Sequence, residues 1–175
     1  MALGKDYESQ DCSLARALEL IGERWTLLVI RDAFYGVRRY SDFVSHLDIP
    51  RAVLADRLQR LTAAGVLERR RYQEAPPRDE YVLTGVGREL WPVLLALGDW
   101  GARHLSAAGA SRIFCHVTCG TRLDRTAVCP ACGTVVPPEE VEMRPGPGAD
   151  RPHRQDAVSR ALRAPHRLLE PLTAD

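Results

Sequence analysis

Two short segments of the chain carry soft metal ligands at matched spacing, His116-Val-Thr-Cys119-Gly120 and Cys129-Pro-Ala-Cys132-Gly133. Zinc takes four nitrogen or thiolate ligands at about 2.0 to 2.3 Å, and a two-residue gap brings neighbouring ligands onto one ion. The glycine after each pair permits the tight turn that aims the second ligand back at the first. Five candidates compete for four positions, because Cys115 immediately precedes His116. His116 reproduces the gap of the second segment and is favoured; Cys115, expected on the opposite side of a strand, is the runner-up. No base stands beside an open ligand position, so the predicted ion is a structural zinc. Redox-labile cysteines are the alternative reading of the same residues.

A second chemistry lies in the distribution of charge. The formal net charge of the 175 residues is +1, which neither announces nucleic acid nor excludes it. Between Arg38 and Arg71, however, eight arginines face four acids. Six of them lie in the run PRAVLADRLQRLTAAGVLERRR, which opens with an amphipathic segment from Pro50 that Gly65 terminates.

These groups need elements to position them. Leu14, Leu18 and Ile21 recur at helical spacing, and Trp25, Leu28 and Val29 resume the pattern beyond Gly22, giving two short helices or one broken helix. Ser41 is a suitable N-cap for a helix carrying Phe43, Val44 and Leu47, and Pro50 suits the first turn of the next, whose apolar face is Val53, Leu54, Leu58 and Leu61. Two helices joined by about three residues form a helix-turn-helix. Val66 through Tyr72 and Tyr81 to Leu83 then read as a hairpin around a Pro-containing loop, and Thr84 caps a last helix running from Leu90 to Leu105. Pro92 is expected to kink that helix.

The predicted fold is therefore mainly α with a small β-hairpin wing, a winged helix-turn-helix. A small zinc-ribbon-like β module and a loose tail follow it. The boundaries are 1–110 for the helical DNA-binding and dimerisation domain, 111–136 for the module and 137–175 for a Pro- and Arg-rich, partly disordered tail. Arg151, Arg154, Arg160, Arg163 and Arg167 in the tail could add nonspecific affinity for DNA.

In a winged helix the second helix of the pair enters the major groove and the hairpin reaches the neighbouring backbone. Arg51, near the start of that helix, is the best bidentate donor to a guanine edge, and Ala52 or Ala55 could touch a thymine methyl. Asp56 and Arg60 share the outward face, and Arg57 reaches either a phosphate or a local acid. Arg38, Arg39 and Ser41, at the head of the preceding helix, complete the DNA-facing set. The last helix is apolar on too many faces to bury itself in a chain this small, which predicts pairing with a second copy through Trp91, Leu94, Leu95 and Trp100, with the segment from Cys12 to Leu20.

The runs CSLARALELIGERWTLLVIRDAFYGVRRYSDF, IPRAVLADRLQRLTAAGVLERR and PPRDEYVLTGVGREL with DWGARHL resemble the HxlR-type regulators, over roughly residues 12 to 105. The landmarks are Cys12, Trp25, Leu54, Arg57-Leu58, Leu61, Gly65 and the series Tyr81, Leu83, Thr84, Gly87. The resemblance implies a homodimeric bacterial transcription factor, usually a repressor, each subunit reading half of a pseudo-palindromic operator. It implies a recognition helix from Pro50 to Ala64, a wing from about Leu67 to Leu83, and backbone contacts from Arg71 and Arg78. It also leaves room for a small-molecule or redox effector, Cys12 being the candidate sensor. The chain departs from many relatives at Pro50, where they carry a small polar residue, so capping by Asp48 is expected instead.

No nucleophile motif, phosphate-cradling glycine loop or convergent acid pair occurs, so an enzyme is not expected. The N-terminal residues lack the pattern of a signal peptide and no apolar run approaches membrane-spanning length, which predicts a cytoplasmic protein with no membrane partner. The rival function is a zinc-ribbon protein-interaction module whose helical part dimerises without binding specific DNA.

Overall fold

The computed structural model describes Tyr7, residues 11–150 and residues 154–172; Arg151 lies outside the described residues. The helical pattern before Gly22 and after it folds as two separate helices, α1 (Ser13–Ile21) and α2 (Thr26–Phe34). Val29, Ile30 and Phe34 make α2 the buried axis of the molecule. Around it pack α3 (Tyr40–Leu47) and α4 (Arg51–Ala63), joined by Asp48, Ile49 and Pro50. Asp48 takes the left-handed conformation that turns the chain between them.

Two expectations about these helix starts need correction. Ser41 lies inside α3, its hydroxyl 3.1 Å from the Asp42 carboxylate, and Arg39 occupies the cap position. Pro50 is itself the cap residue of α4, and no side chain caps that helix, Asp48 included. The Tyr40 hydroxyl instead donates to the Arg51 carbonyl at 2.7 Å, tying the start of α3 to the start of α4. At the other end of α4, Gly65 has φ +70° and the amides of Gly65 and Val66 bond back to Thr62 and Leu61. That pairing closes the helix as a Schellman turn and aims the chain into the hairpin.

The hairpin is antiparallel, β1 (Leu67–Gln73) against β2 (Arg78–Leu83), with Arg69 opposite Tyr81 and Arg71 opposite Asp79. Thr84 caps a separate single turn, α5 (Gly85–Arg88), through the Gly87 amide at 3.1 Å. The long helix α6 (Trp91–His104) starts afresh beyond it. Pro92 therefore produces no kink, because it sits in the first turn where no N–H is required.

The remaining residues do not divide at 136. β3 (Arg112–His116) pairs with β6 (Val141–Pro145), and β6 pairs in turn with β7 (His166–Arg167), all antiparallel. Between β3 and β6 lies the hairpin of β4 (Val128–Cys129) and β5 (Thr134–Val135), and α7 (Ala157–Ala161) precedes β7. The segment expected as a loose tail thus supplies the central strand of the sheet. Val141 and Met143 alternate inward on β6, and Val158, Leu162 and Leu168 are buried with them in the same core as Phe34 and Trp91. Beyond β7 the chain is stitched to the helical body. The Leu169 amide donates to the Phe34 carbonyl at 2.8 Å, Leu172 to Gly36 at 3.0 Å, and the Arg38 guanidinium to the Leu169 carbonyl at 3.0 Å. Gly36 permits this approach, since its φ is +87° and a Cβ there would overlap the Glu170 carbonyl oxygen. Among the described residues no helix is long and apolar enough to cross a membrane.

Candidate functional site

Burial of Leu54, Leu58 and Leu61 fixes which face of α4 looks outward. Arg51, Ala52, Ala55, Asp56 and Gln59 are exposed on it. Arg51 makes no ion pair among the described residues, so its guanidinium is unencumbered at the start of the helix. Arg57 and Arg60 are committed elsewhere. Arg57 is mostly buried and pairs with Glu23 at 3.3 Å and Asp56 at 3.0 Å, while Arg60 donates to the Glu19 carbonyl at 2.9 Å. Both brace α4 against α1 and the turn beyond it, because their aliphatic stems start beside the apolar face and the nearest acceptors lie there.

The wing arginines divide in the same way. Arg71 is held by Asp79 at 2.6 Å and Glu74 at 3.6 Å, and Arg70 by Glu68 at 2.9 Å. Those bonds to neighbouring carboxylates raise the pKa of both guanidinium groups. Arg78 is exposed and carries no ion pair among the described residues. Arg39 stacks over the Tyr72 ring at 5.1 Å, joining the head of α3 to the wing. Arg38 is spent internally, on the Leu169 carbonyl and on Glu80 at 3.8 Å, so it links the wing to the C-terminal segment.

The four predicted metal ligands converge. The ligand atoms of His116, Cys119, Cys129 and Cys132 all lie within 4.8 Å of one another. Cys119 Sγ is 3.5 Å from His116 Nδ1 and 3.5 Å from Cys129 Sγ, and Cys132 Sγ is 3.4 Å from His116 Nδ1 and 3.6 Å from Cys119 Sγ. Ligands at zinc bond lengths on a tetrahedron stand about 3.3 to 3.8 Å apart, so the set has the dimensions of a closed four-ligand site. The turns match the reading of the sequence: Gly120 and Gly133 both take positive φ, and their amides donate to the carbonyls of His116 and Cys129 at 2.8 Å each. Cys119 is held down to about 6, mainly by hydrogen bonds from Thr121, which favours the thiolate that a metal requires. Cys115 is buried outside the cluster, where desolvation pushes its thiol up. Strand alternation separates it from His116.

One member of this site was not anticipated. Glu140 Oε2 lies 3.4 Å from His116 Nε2, the ring nitrogen left over when Nδ1 faces the three thiols. A carboxylate behind a ligating histidine fixes the ring and its tautomer. No local spacing relates Glu140 to the cysteine turns, and only the return of the chain before β6 brings it there.

The HxlR-like helix-turn-helix family model matches residues 20–108. An HTH-type transcriptional regulator of Mycobacterium tuberculosis, described as uncharacterized, is 42% identical over 137 residues, which cover 78% of this chain and 87% of that protein. The chain belongs to the HxlR family. It is a transcriptional regulator of that family on the descriptions of its relatives, among them one of Bacillus subtilis at 35% identity covering 58% of this chain and 83% of that one. Among solved structures, PA1607, described as a candidate transcription factor, superposes with a TM-score of 0.60 at 32% identity over 76% of this chain and 94% of its own. The redox regulator HypR in its oxidized form gives 0.51 at 31% identity over 53% of this chain and 97% of its own.

The HxlR-family match stops at residue 108, before the cluster of His116, Cys119, Cys129 and Cys132 begins. Of the residues expected to pair two copies of this regulator, Trp91 and Leu95 are consumed by its own core, Trp91 against Phe34 and Phe114 at centroid distances of 5.6 and 4.9 Å. Leu94 is half-buried, whereas Trp100 is exposed. Exposed beside it in sequence are Val93 and Leu97, with Leu14 and Leu18 on α1. Sequence periodicity alone could not divide α6 between core and surface, because β3 covers a face that the helix order leaves open. Cys12 is exposed at the cap position of α1.

Proposed function

We propose that this regulator binds a pseudo-palindromic operator as a homodimer and represses transcription from it, with a structural zinc ion holding a ribbon-like module against the DNA-reading domain. The observation that carries the reading is the outward face of α4, headed by an exposed Arg51 with no ion pair among the described residues. Arg51 takes the base-edge role and Ala52 and Ala55 the apolar contacts, with Asp56 at the rim of the groove. Arg78 takes the principal phosphate contact of the wing; Arg71 reaches a phosphate only by releasing Asp79. Arg39 and Ser41 lie at the backbone beside the head of α3. The second copy packs on Trp100 and Leu97 with Leu14 and Leu18, exposed apolar side chains that a monomer leaves in water.

Binding of labelled duplexes by fluorescence anisotropy tests this. Arg51→Ala should cost about 1 to 3 kcal/mol on the matched operator and little on a scrambled one. Arg78→Ala should weaken both alike and reduce the log–log salt slope by about 0.9. Salt-insensitive or absent duplex binding would instead favour the protein-interaction module. A redox input through Cys12 is a second reading, favoured by its exposure and by the likeness to a redox regulator. Operator release by peroxide in the wild type but not in Cys12→Ser is its expected signature.

A further inference from the structure

A cavity of about 300 Å3 opens where α2 and α6 meet β3, with Arg31, Tyr35, Leu95, Arg112 and Phe114 in its walls and Asp99 and Asp124 also lining it. Two further lobes share those walls. One of about 260 Å3 is almost wholly apolar, bounded by Leu27, Phe34, Trp91 and Leu94. The other, about 290 Å3, is cationic and adds His46 and Arg154 to Arg31 and Arg112. Small-molecule sites span roughly 300 to 1,000 Å3 and are mostly apolar with a few convergent polar groups.

Around the cationic end the carboxylates are engaged by groups other than Arg112. Arg31 binds Asp32 through Nε and Nη2 at 3.0 and 2.7 Å, and the other oxygen of the same buried carboxylate lies 2.6 Å from His46 Nδ1. Asp32 thus serves two bases, and Asp156 lies near His46 as well. Arg154 donates to the Ser45 carbonyl at 3.3 Å and has two looser carboxylate partners, Asp156 at 3.7 Å and Asp48 at 3.8 Å. Arg112 is half-buried and has no carboxylate partner among the described residues. Burial lowers its pKa, and the titratable groups beside it are the Tyr35 phenol and the Arg31 guanidinium. Tyr35 is likewise largely buried, and its hydroxyl, which has no hydrogen-bond partner among the described residues, retains contact with solvent. A half-buried guanidinium facing a second guanidinium and an unpartnered phenol is a site built for an anion from outside the protein.

We infer that this cavity binds a small organic monocarboxylate, its carboxylate between Arg112 and Arg31 and its apolar body against Leu95, Phe114 and the apolar lobe. The Tyr35 hydroxyl donates to the same carboxylate. Inorganic phosphate would satisfy the arginines but leave the apolar lobe unfilled. Ser111, Arg112 and Phe114 lie beyond the residues that the family model matches, so the C-terminal module itself completes this site. The carboxylate also sits one residue from Asp32, the anchor of His46 on α3, which gives a bound ligand a lever on the helix-turn-helix. The site stands whether or not the DNA-binding reading does.

Isothermal titration of the full-length, metal-containing protein with benzoate, 1-naphthoate, benzamide and phosphate tests the inference. Saturable binding of one carboxylate per chain is expected, with 1-naphthoate tighter than benzoate and with benzamide and phosphate at least roughly tenfold weaker, the worth of one charge-assisted hydrogen bond. Arg112→Gln should weaken carboxylate binding roughly tenfold to a hundredfold, and Arg112→Lys, which keeps the charge without the guanidinium fork, by less. If Arg112→Gln loses its native circular dichroism, Arg112→Lys alone decides. Absence of saturable carboxylate binding, equal binding of benzamide or phosphate, or unchanged affinity in a folded Arg112 variant would overturn the inference. Duplex binding without ligand, measured on the same preparations, reports separately on the DNA-binding reading.

Discussion

Stripping the proposed zinc with a chelator should loosen far more than the two cysteine turns. The strands β4 and β5 have two residues each, too short to persist as an isolated hairpin. A structural zinc site contributes about 10 to 16 kcal/mol, as much as the roughly 5 to 15 kcal/mol by which a whole domain is stable. The end of β3 is pinned at His116, so β3 and its partner β6 should lose their order with the ion. Phe114 on β3 covers Trp91, ring to ring at 4.9 Å and 80°, and Trp91 is only 3% exposed. Its emission should therefore shift to the red on chelation, measured with Trp25 and Trp100 replaced by Phe. The amides of Leu169 and Leu172, bonded to Phe34 and Gly36, should exchange faster, while those of α4 keep their protection because Leu54, Leu58 and Leu61 pack without β3. Cys119→Ser should give the same state without chelator. Purified protein carrying well under one ion per chain, or chelation that removes the ion and leaves both signals unchanged, would refute the reasoning.

Leu168→Ala should cost about 2 to 5 kcal/mol in urea denaturation, since a side chain that is 1% exposed leaves a cavity in the shared core. Asp156 caps α7 through the Ser159 amide at 2.8 Å and hydroxyl at 2.6 Å. Asp156→Ala should cost about 0.5 to 2 kcal/mol. Burial pushes the Asp156 carboxyl up, but the two Ser159 bonds and the nearby His46 outweigh it and hold it below its usual value. Its contribution is thus complete above the unfolded value of about 3.9 and fades as pH falls through the lower folded one, so the gap between variant and wild type should close in strong acid. Trp100→Glu should turn a dimer into a monomer in sedimentation, with little loss of protomer stability because half of the side chain is in solvent.

Much of this architecture is legible locally. The spacing of Leu54, Leu58 and Leu61, the Gly65 stop and the alternation around Tyr72 depend on neighbours within a few residues, so α4 and the wing follow from pattern alone. The same holds for the two cysteine turns, where Gly120 and Gly133 mark matching geometry. Helix starts were less legible. Ser41 carries a capping side chain but lies inside α3, and Thr84 caps a single turn rather than the long helix, because tertiary packing decides where a helix begins. Residues 137 onward misled by composition: their prolines and arginines mask Val141, Met143, Val158, Leu162 and Leu168, which are too scattered for a periodic signal and find each other only across the sheet.

The order of residues by itself determined the family, the outward face of α4 and the four members of the His/Cys cluster, since each rests on short-range spacing that any folded context preserves. Tertiary structure alone decided which arginines remain available. Arg38, Arg57 and Arg60 are drawn inward by Leu169, Glu23 and Glu19, while Arg51, Arg78 and Arg112 are left without a carboxylate partner among the described residues. It likewise decided that Glu140 stands behind His116 and that the last segment clamps α2. Leu169, Glu23, Glu19 and Glu140 all lie far along the chain from the groups they engage, and no local pattern records them.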